Sequence, residues 1–123
     1  GLDTYAEIML NGHSLGKSEN MFIPWRRRVE EYLKPGHNLL EVHFTSPMKK
    51  TSEIAANEGL PFQNGGGIPE RGYARKALYS FGWDWGPRLA TSGIWKDVEL
   101  VFPYKAALSD VHFTSKVEGN IAT

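Results

Sequence analysis

The sequence contains no cysteine, and that single absence removes disulfides, zinc–thiolate centres, iron–sulfur clusters and thiol nucleophiles together. The redox compartment stays open, since a cysteine-free chain is tolerated in either. No apolar run approaches the roughly 20 residues needed to span a bilayer, and the chain opens on Gly1-Leu2-Asp3 rather than on a charged and then apolar leader. Charge of one sign is missing too, because 14 basic side chains stand against 14 acidic ones. Nucleic acid and membrane are therefore not expected as partners, because binding to either scales with clustered Lys and Arg. What remains is 123 residues, 41% hydrophobic and 12% aromatic with 23% charged, which suits one soluble domain with a real core.

Turn signals break the chain into short elements. Leu2, Thr4, Ala6, Ile8 and Leu10 alternate with Tyr5, Glu7 and Met9, the pattern of a half-buried strand. Asn11-Gly12 follows and tolerates the positive φ angles of a two-residue hairpin, so His13 to Lys17 is expected to return as its partner. Met21 to Val29 reads as a further strand, with Pro24 at an edge or a break. Glu30 to Leu33 has room for one helical turn, Pro35-Gly36 makes a tight turn, and Leu39 to Phe44 reads as a strand. Residues 48 to 58 form the one longer helix expected, and Pro61 to Gly72 is a Gly- and Pro-rich loop. Tyr73 to Phe81 reads as extended, Ile94 to Phe102 and Leu108 to Ser115 as strands, and 116 to 123 as a polar tail. Val-His-Phe-Thr-Ser occurs at 42 to 46 and at 111 to 115, which suggests two similar strand ends rather than a repeat architecture. The expected class is all-β: an antiparallel jelly-roll or galactose-binding-like sandwich with one short helix and long loops.

Gly82-Trp83-Asp84-Trp85-Gly86-Pro87 holds the residues most suited to chemistry. Indole faces pack on the apolar face of a pyranose, and a carboxylate accepts hydrogen bonds from neighbouring hydroxyls, so two Trp around one Asp resemble half of a sugar site. The alternative is structural: both indoles plug the core and Asp84 caps the turn. Arg75 and Lys76 either orient Asp84 or meet ligand oxygens, unless they are plain surface charges. Asn57-Glu58 resembles the acid/base pair of retaining glycosidases, but it closes a helix-like stretch, and the second carboxylate about 5 Å away needs a catalytic barrel that this chain is too short to hold. Glu58 reads as a decoy and no catalytic residue is assigned. His13, His37, His43 and His112 share no metal-binding spacing, so neither a metal nor a cofactor is expected. Arg26-Arg27-Arg28 reads as a solvated edge, Gly65-Gly66-Gly67 as a hinge rather than a phosphate loop, and no nucleophile elbow is present.

A wider resemblance gathers these pieces. Gly1 to Glu7, Leu10-Asn11-Gly12, Asn20-Met21-Phe22, Pro35 to Val42, Arg75-Lys76-Ala77, Phe81 to Pro87 and Gly93 to Val98 together resemble the N-terminal domain of β-mannosidases, in family 2 of the glycoside hydrolases. The Leu-Asn-Gly hairpin and the Gly-Ile-Trp strand are shared across that family, whereas Arg-Lys followed by Gly-Trp-Asp-Trp-Gly-Pro points to the mannosidase branch. The resemblance implies a jelly-roll domain that is itself non-catalytic, in a longer retaining enzyme that removes terminal non-reducing β-D-mannose. Its partners would be an immunoglobulin-like domain and a catalytic (β/α)8 barrel of the same polypeptide. Asp84 would bind hydroxyls of the terminal sugar and Trp83 would wall the pocket, with Trp85, Arg75 and Lys76 in support.

The resemblance also implies domain limits. Residues 1 to 102 correspond to part of the family's first domain, without its opening strands, and 103 to 123 to a linker and the start of the immunoglobulin-like domain. Exposed sheet edges are then expected, and with them self-association of the chain. Two other readings stand beside this one: a stand-alone carbohydrate-binding module, and the equivalent domain of a β-galactosidase, β-glucuronidase or exo-β-glucosaminidase. The absence of cysteines and of N-glycosylation sequons suits a bacterial cytoplasmic or periplasmic enzyme, and the compartment is left undetermined.

Overall fold

The computed structural model describes residues 1–59, 68–102, 106, 108 and 111–122. Its centre is a three-stranded antiparallel sheet in which β2 (Tyr5–Leu10) lies between β3 (His13–Glu19) and β4 (Leu40–Thr45). The alternation of β2 is what buries it: Ala6, Ile8 and Leu10 point into the core while Glu7 faces out. Trp25, Val29, Tyr32, Leu33, Val42 and Phe44 close over those side chains. A bulge in β3 completes the core. Pairing slips between Ile8 and Met9, which face Gly16 and Ser14, so Leu15 is the extra residue and its side chain turns inward to 4% exposure.

Asn11 and Gly12 take φ values of +52° and +84°, the two left-handed residues of a tight hairpin. Asn11 does more than turn the chain. Its amide donates to the Tyr32 carbonyl and to Asn38 Oδ1, both at 2.8 Å, and its Oδ1 accepts from the Leu39 amide at 2.9 Å. The hairpin tip is thereby tied to the segment that enters β4, which fixes the register of both neighbours of β2.

The helix α1 (Pro47–Glu58) begins where sequence chemistry allows: Ser46 Oγ accepts from the Lys49 amide at 3.4 Å and Pro47 needs no amide partner. It stops at Gly59, whose φ is +83° and whose N–H reaches the Ala55 carbonyl at 2.9 Å. Two tyrosines fasten it to the sheet. Tyr73 donates to the Gly59 carbonyl at 2.7 Å, and Tyr5 of β2 donates to the Tyr73 carbonyl at 3.2 Å. Burial, and then the Glu19 carboxylate, hold the Tyr5 phenol above its ordinary value.

A second, two-stranded antiparallel sheet joins β1 (Leu2–Asp3) to β5 (Gly93–Ile94), and a terminal hairpin joins β6 (Val117–Glu118) to β7 (Ile121–Ala122). Mostly antiparallel strands with one helix agree with the all-β class expected. Several elements differ from expectation. Met21 to Val29 forms no strand: Trp25 and Val29, four residues apart, both pack on the core, and Pro24 has no amide to pair. Tyr73 to Phe81 is not extended but flanked by 3-10 turns at Pro69–Tyr73 and Leu78–Phe81, because local carbonyls capture the amides of Ala74, Ser80 and Gly82. Of the strand expected over 94 to 102 only Ile94 lies in β5, and one further bond joins the Trp95 amide to the Gly1 carbonyl at 3.0 Å. Within 108 to 115 the described residues form no strand, so only the first Val-His-Phe-Thr-Ser copy is one. The polar tail instead carries β6 and β7, turned by Gly119-Asn120 with Gly119 at φ +62°. Most of the Gly-rich stretch, at 60–67, lies outside the described residues.

Ile8→Ala should lower stability by about 2 to 4 kcal/mol, because it empties a fully enclosed site. Glu7→Ala, one residue away on the open face, should stay within about 0.5 kcal/mol of the parent chain. Urea denaturation followed by circular dichroism reads both.

Candidate functional site

The site begins with a buried ion pair. Lys76 follows the 3-10 turn at Pro69–Tyr73, and its ammonium, fully shielded from solvent, donates to the Asp3 carboxylate of β1. A second donation reaches the Thr91 carbonyl at 2.9 Å. Thr4 donates to the other Asp3 oxygen. An ammonium with no water needs such partners, since an unpaired buried charge costs several kcal/mol. Three segments that are distant in sequence meet at this one nitrogen.

Between Lys76 and Thr91 the chain makes its excursion. Phe81, 1% exposed, plugs the base of the loop. Gly82 then turns it outward with φ +99°, and a Cβ there would lie 2.5 Å from Arg88 Cγ, so conformation and space both demand glycine. Trp83 and Gly86 bridge across the tip, with the Gly86 amide donating to the Trp83 carbonyl at 3.2 Å. Trp83 is 54% exposed and Trp85 88% exposed, with Asp84 exposed between them. The tip therefore presents two indoles and a carboxylate to the outside, and the reading in which both indoles fill the core is set aside.

The supporting residues are placed less uniformly. Lys76 reaches neither Asp84 nor an external ligand, because its amine is buried on Asp3 and Thr91. Arg75 has an exposed side chain, and its backbone carbonyl accepts from the Met21 amide at 3.0 Å. Trp85 is the more exposed of the turn's two indoles, at 88%. Sequence reasoning missed Asp3, Thr4, Thr91 and Arg88. The alternation around Asp3 and Thr4 was a usable signal, since it puts Thr4 on the inward face, where a polar side chain needs a partner.

Elsewhere the chemistry is sparse. Glu58 ends α1 on an exposed surface. His13 packs on Tyr32 with ring centroids 5.5 Å apart, and His43 lies 3.8 Å from Glu41. Among the described residues no three His, Asp or Glu side chains gather so as to hold a metal ion. Arg26, Arg27 and Arg28 are all exposed, though on irregular chain rather than on a strand. A polar groove of about 300 Å³ runs between the outer face of β2 and the first turns of α1, with Glu7, Lys17, Lys49 and Glu53 on its walls.

The chain thus carries an outward aromatic–acid–aromatic turn on an antiparallel framework, with a buried ion pair at its base. The profile of the glycosyl hydrolase 2 galactose-binding domain-like family matches residues 1–96, and the chain belongs to that family. It is 42% identical over 113 residues, 90% of this chain, to β-mannosidase B of Aspergillus terreus, and 38% identical over 98% of this chain to β-mannosidase B of Thermothelomyces thermophilus. The crystal structure of the β-D-mannosidase of Dictyoglomus thermophilum superposes with a TM-score of 0.72 at 54% identity over 78% of this chain. The chain spans 13% and 14% of the length of the two fungal relatives and 12% of the bacterial one.

Lys76→Met should destabilise the chain by about 3 to 5 kcal/mol, since it strands the Asp3 carboxylate in a shielded site. Adding Asp3→Asn should recover part of that loss. Urea titrations of the two single variants and the double variant measure the coupling, and simple additivity would show that the pair does not act as a unit.

Proposed function

We propose that this chain is the jelly-roll domain that completes the terminal-sugar subsite of an exo-acting, retaining β-mannosidase, while the catalytic carboxylates reside in a barrel domain of the same polypeptide. The observation that carries the reading is the outward turn of Trp83, Asp84 and Trp85, held at its base by Lys76 and Gly82. Asp84 would accept hydrogen bonds from hydroxyls remote from the scissile bond. Trp83, the more enclosed indole, would wall the ring. Binding energy from such a non-reacting part of the substrate positions the reacting part and lowers the barrier to its chemistry. The family membership, and the mannosidase names carried by the relatives, favour mannose over its epimers as the sugar.

Alone, the chain supplies one wall of a pocket and no second carboxylate, so it should hydrolyse nothing. The test is kcat/KM of the full-length enzyme on aryl β-mannoside, with galacto, gluco and glucosaminide counterparts alongside. Asp84→Ala should lower the mannoside value by about 2 to 4 kcal/mol, or roughly 30- to 900-fold, the cost of truncating a hydrogen-bonded charge in a desolvated site. Unchanged turnover would make the turn structural, and preference for another epimer would move the chain to another branch of the family. Calorimetric titration of the isolated chain with methyl β-mannoside should show no saturable binding, whereas micromolar affinity would make it a stand-alone carbohydrate-binding module.

A further inference from the structure

Lys76 closes a circuit around the two ends of the excursion that carries Trp83, Asp84 and Trp85. Its ammonium donates to Asp3 Oδ2 and, 15 residues along the chain, to the Thr91 carbonyl at 2.9 Å. Asp3 in turn pairs through β1 with Gly93 of β5, just beyond Thr91. Its second carboxylate oxygen accepts from Thr4, so both oxygens are engaged. Entry, exit and first strand are thereby fixed to one another.

Inside the excursion the backbone hydrogen bonds are local. The amides of Ser80, Gly82, Gly86 and Thr91 donate to the carbonyls of Ala77, Tyr79, Trp83 and Leu89. Such bonds shape a turn but do not aim it, because none of them reaches a strand. Aim comes from the base: from Phe81, buried beneath the loop, from the Ala77 amide against Met21 Sδ at 3.1 Å, and from the Lys76 ammonium. Of these three, Lys76 alone bonds at both ends. An ammonium without water is confined to the geometry of its partners, whereas an exposed one exchanges them for solvent.

We propose that Lys76 is a positioning residue for the sugar: resting on the subsite reading above, it sets where the Asp84 carboxylate meets the hydroxyls of the terminal mannosyl unit while touching neither. A displacement of about 1 Å at a binding group costs on the order of 100-fold in rate. The pin therefore acts on turnover through Asp84, beyond its contribution to folding.

The test is a double-mutant cycle in the full-length enzyme, read as kcat/KM on aryl β-mannoside. Asp3→Asn with Lys76→Met removes the pin without leaving a charge buried, and should lower kcat/KM by about 10- to 100-fold. In an Asp84→Ala background the same two changes should cost less than about twofold, because a pin that acts through Asp84 has nothing left to place. Ile8→Ala, which weakens the core away from the turn, should leave kcat/KM of the folded enzyme within about twofold in either background. Thr4→Val, a milder change that releases one Asp3 oxygen, should repeat the pattern at smaller amplitude and carries the test where the paired variant does not fold. Circular dichroism at the assay temperature confirms the folded state of each. Equal fold-losses in both backgrounds overturn the proposal and leave the pair a stabiliser of the fold alone. A full loss in Asp84→Ala beside an unaffected pin variant also overturns it and spares the subsite reading, whereas Asp84→Ala without effect removes both.

Discussion

The contact between the Lys76 ammonium and the Asp3 carboxylate organises the rest of the site. It joins the first strand to the chain entering the Trp83–Trp85 turn, and the same ammonium grips the Thr91 carbonyl as the chain leaves it. A loop bound at its exit, and entered just after its anchor, cannot drift as a free tether would. Its tip can be exposed and still be directed. The arrangement also shields the charges from water, and buried charges tolerate only partners with the right geometry.

The sheet and the pin are connected through Tyr5 and Tyr73. Tyr5 leads β2 immediately after Thr4, and its hydroxyl reaches the turn whose following residues include Lys76. Tyr73 in turn reaches the C-terminal end of α1. The core under β2 therefore stabilises more than itself: it holds the platform from which the ion pair reaches Thr91. Asn11 performs a parallel task at the other end of the sheet by binding both Tyr32 and Leu39.

How much of this was legible depended on how local the cause was. Leu10-Asn11-Gly12-His13 specifies its own turn, and Ser46-Pro47 specifies its own helix start, so the sequence pattern sufficed for the hairpin, for β4 and for α1. Residues 95 to 102 show the limit of pattern: their alternation is genuine, but pairing requires a neighbour, and composition cannot provide one. At 73 to 81 short-range carbonyls won over extension. The site divided along the same line. The Gly-bounded Trp-Asp-Trp turn was visible as a turn with sugar-binding chemistry, yet whether its indoles faced in or out is a tertiary fact. Lys76 misled for a related reason, since lysine is almost never fully buried unless paired, and its partner lies 73 residues away.

The central claim is that Asp84 touches the sugar. A crystal structure of the full-length enzyme with mannose in its terminal subsite measures this directly. An Asp84 carboxylate oxygen is expected about 2.5 to 3.0 Å from a sugar hydroxyl, the ordinary range for an O–H donor on a carboxylate. A carboxylate more than about 5 Å from every hydroxyl, with no bridging water, would contradict it.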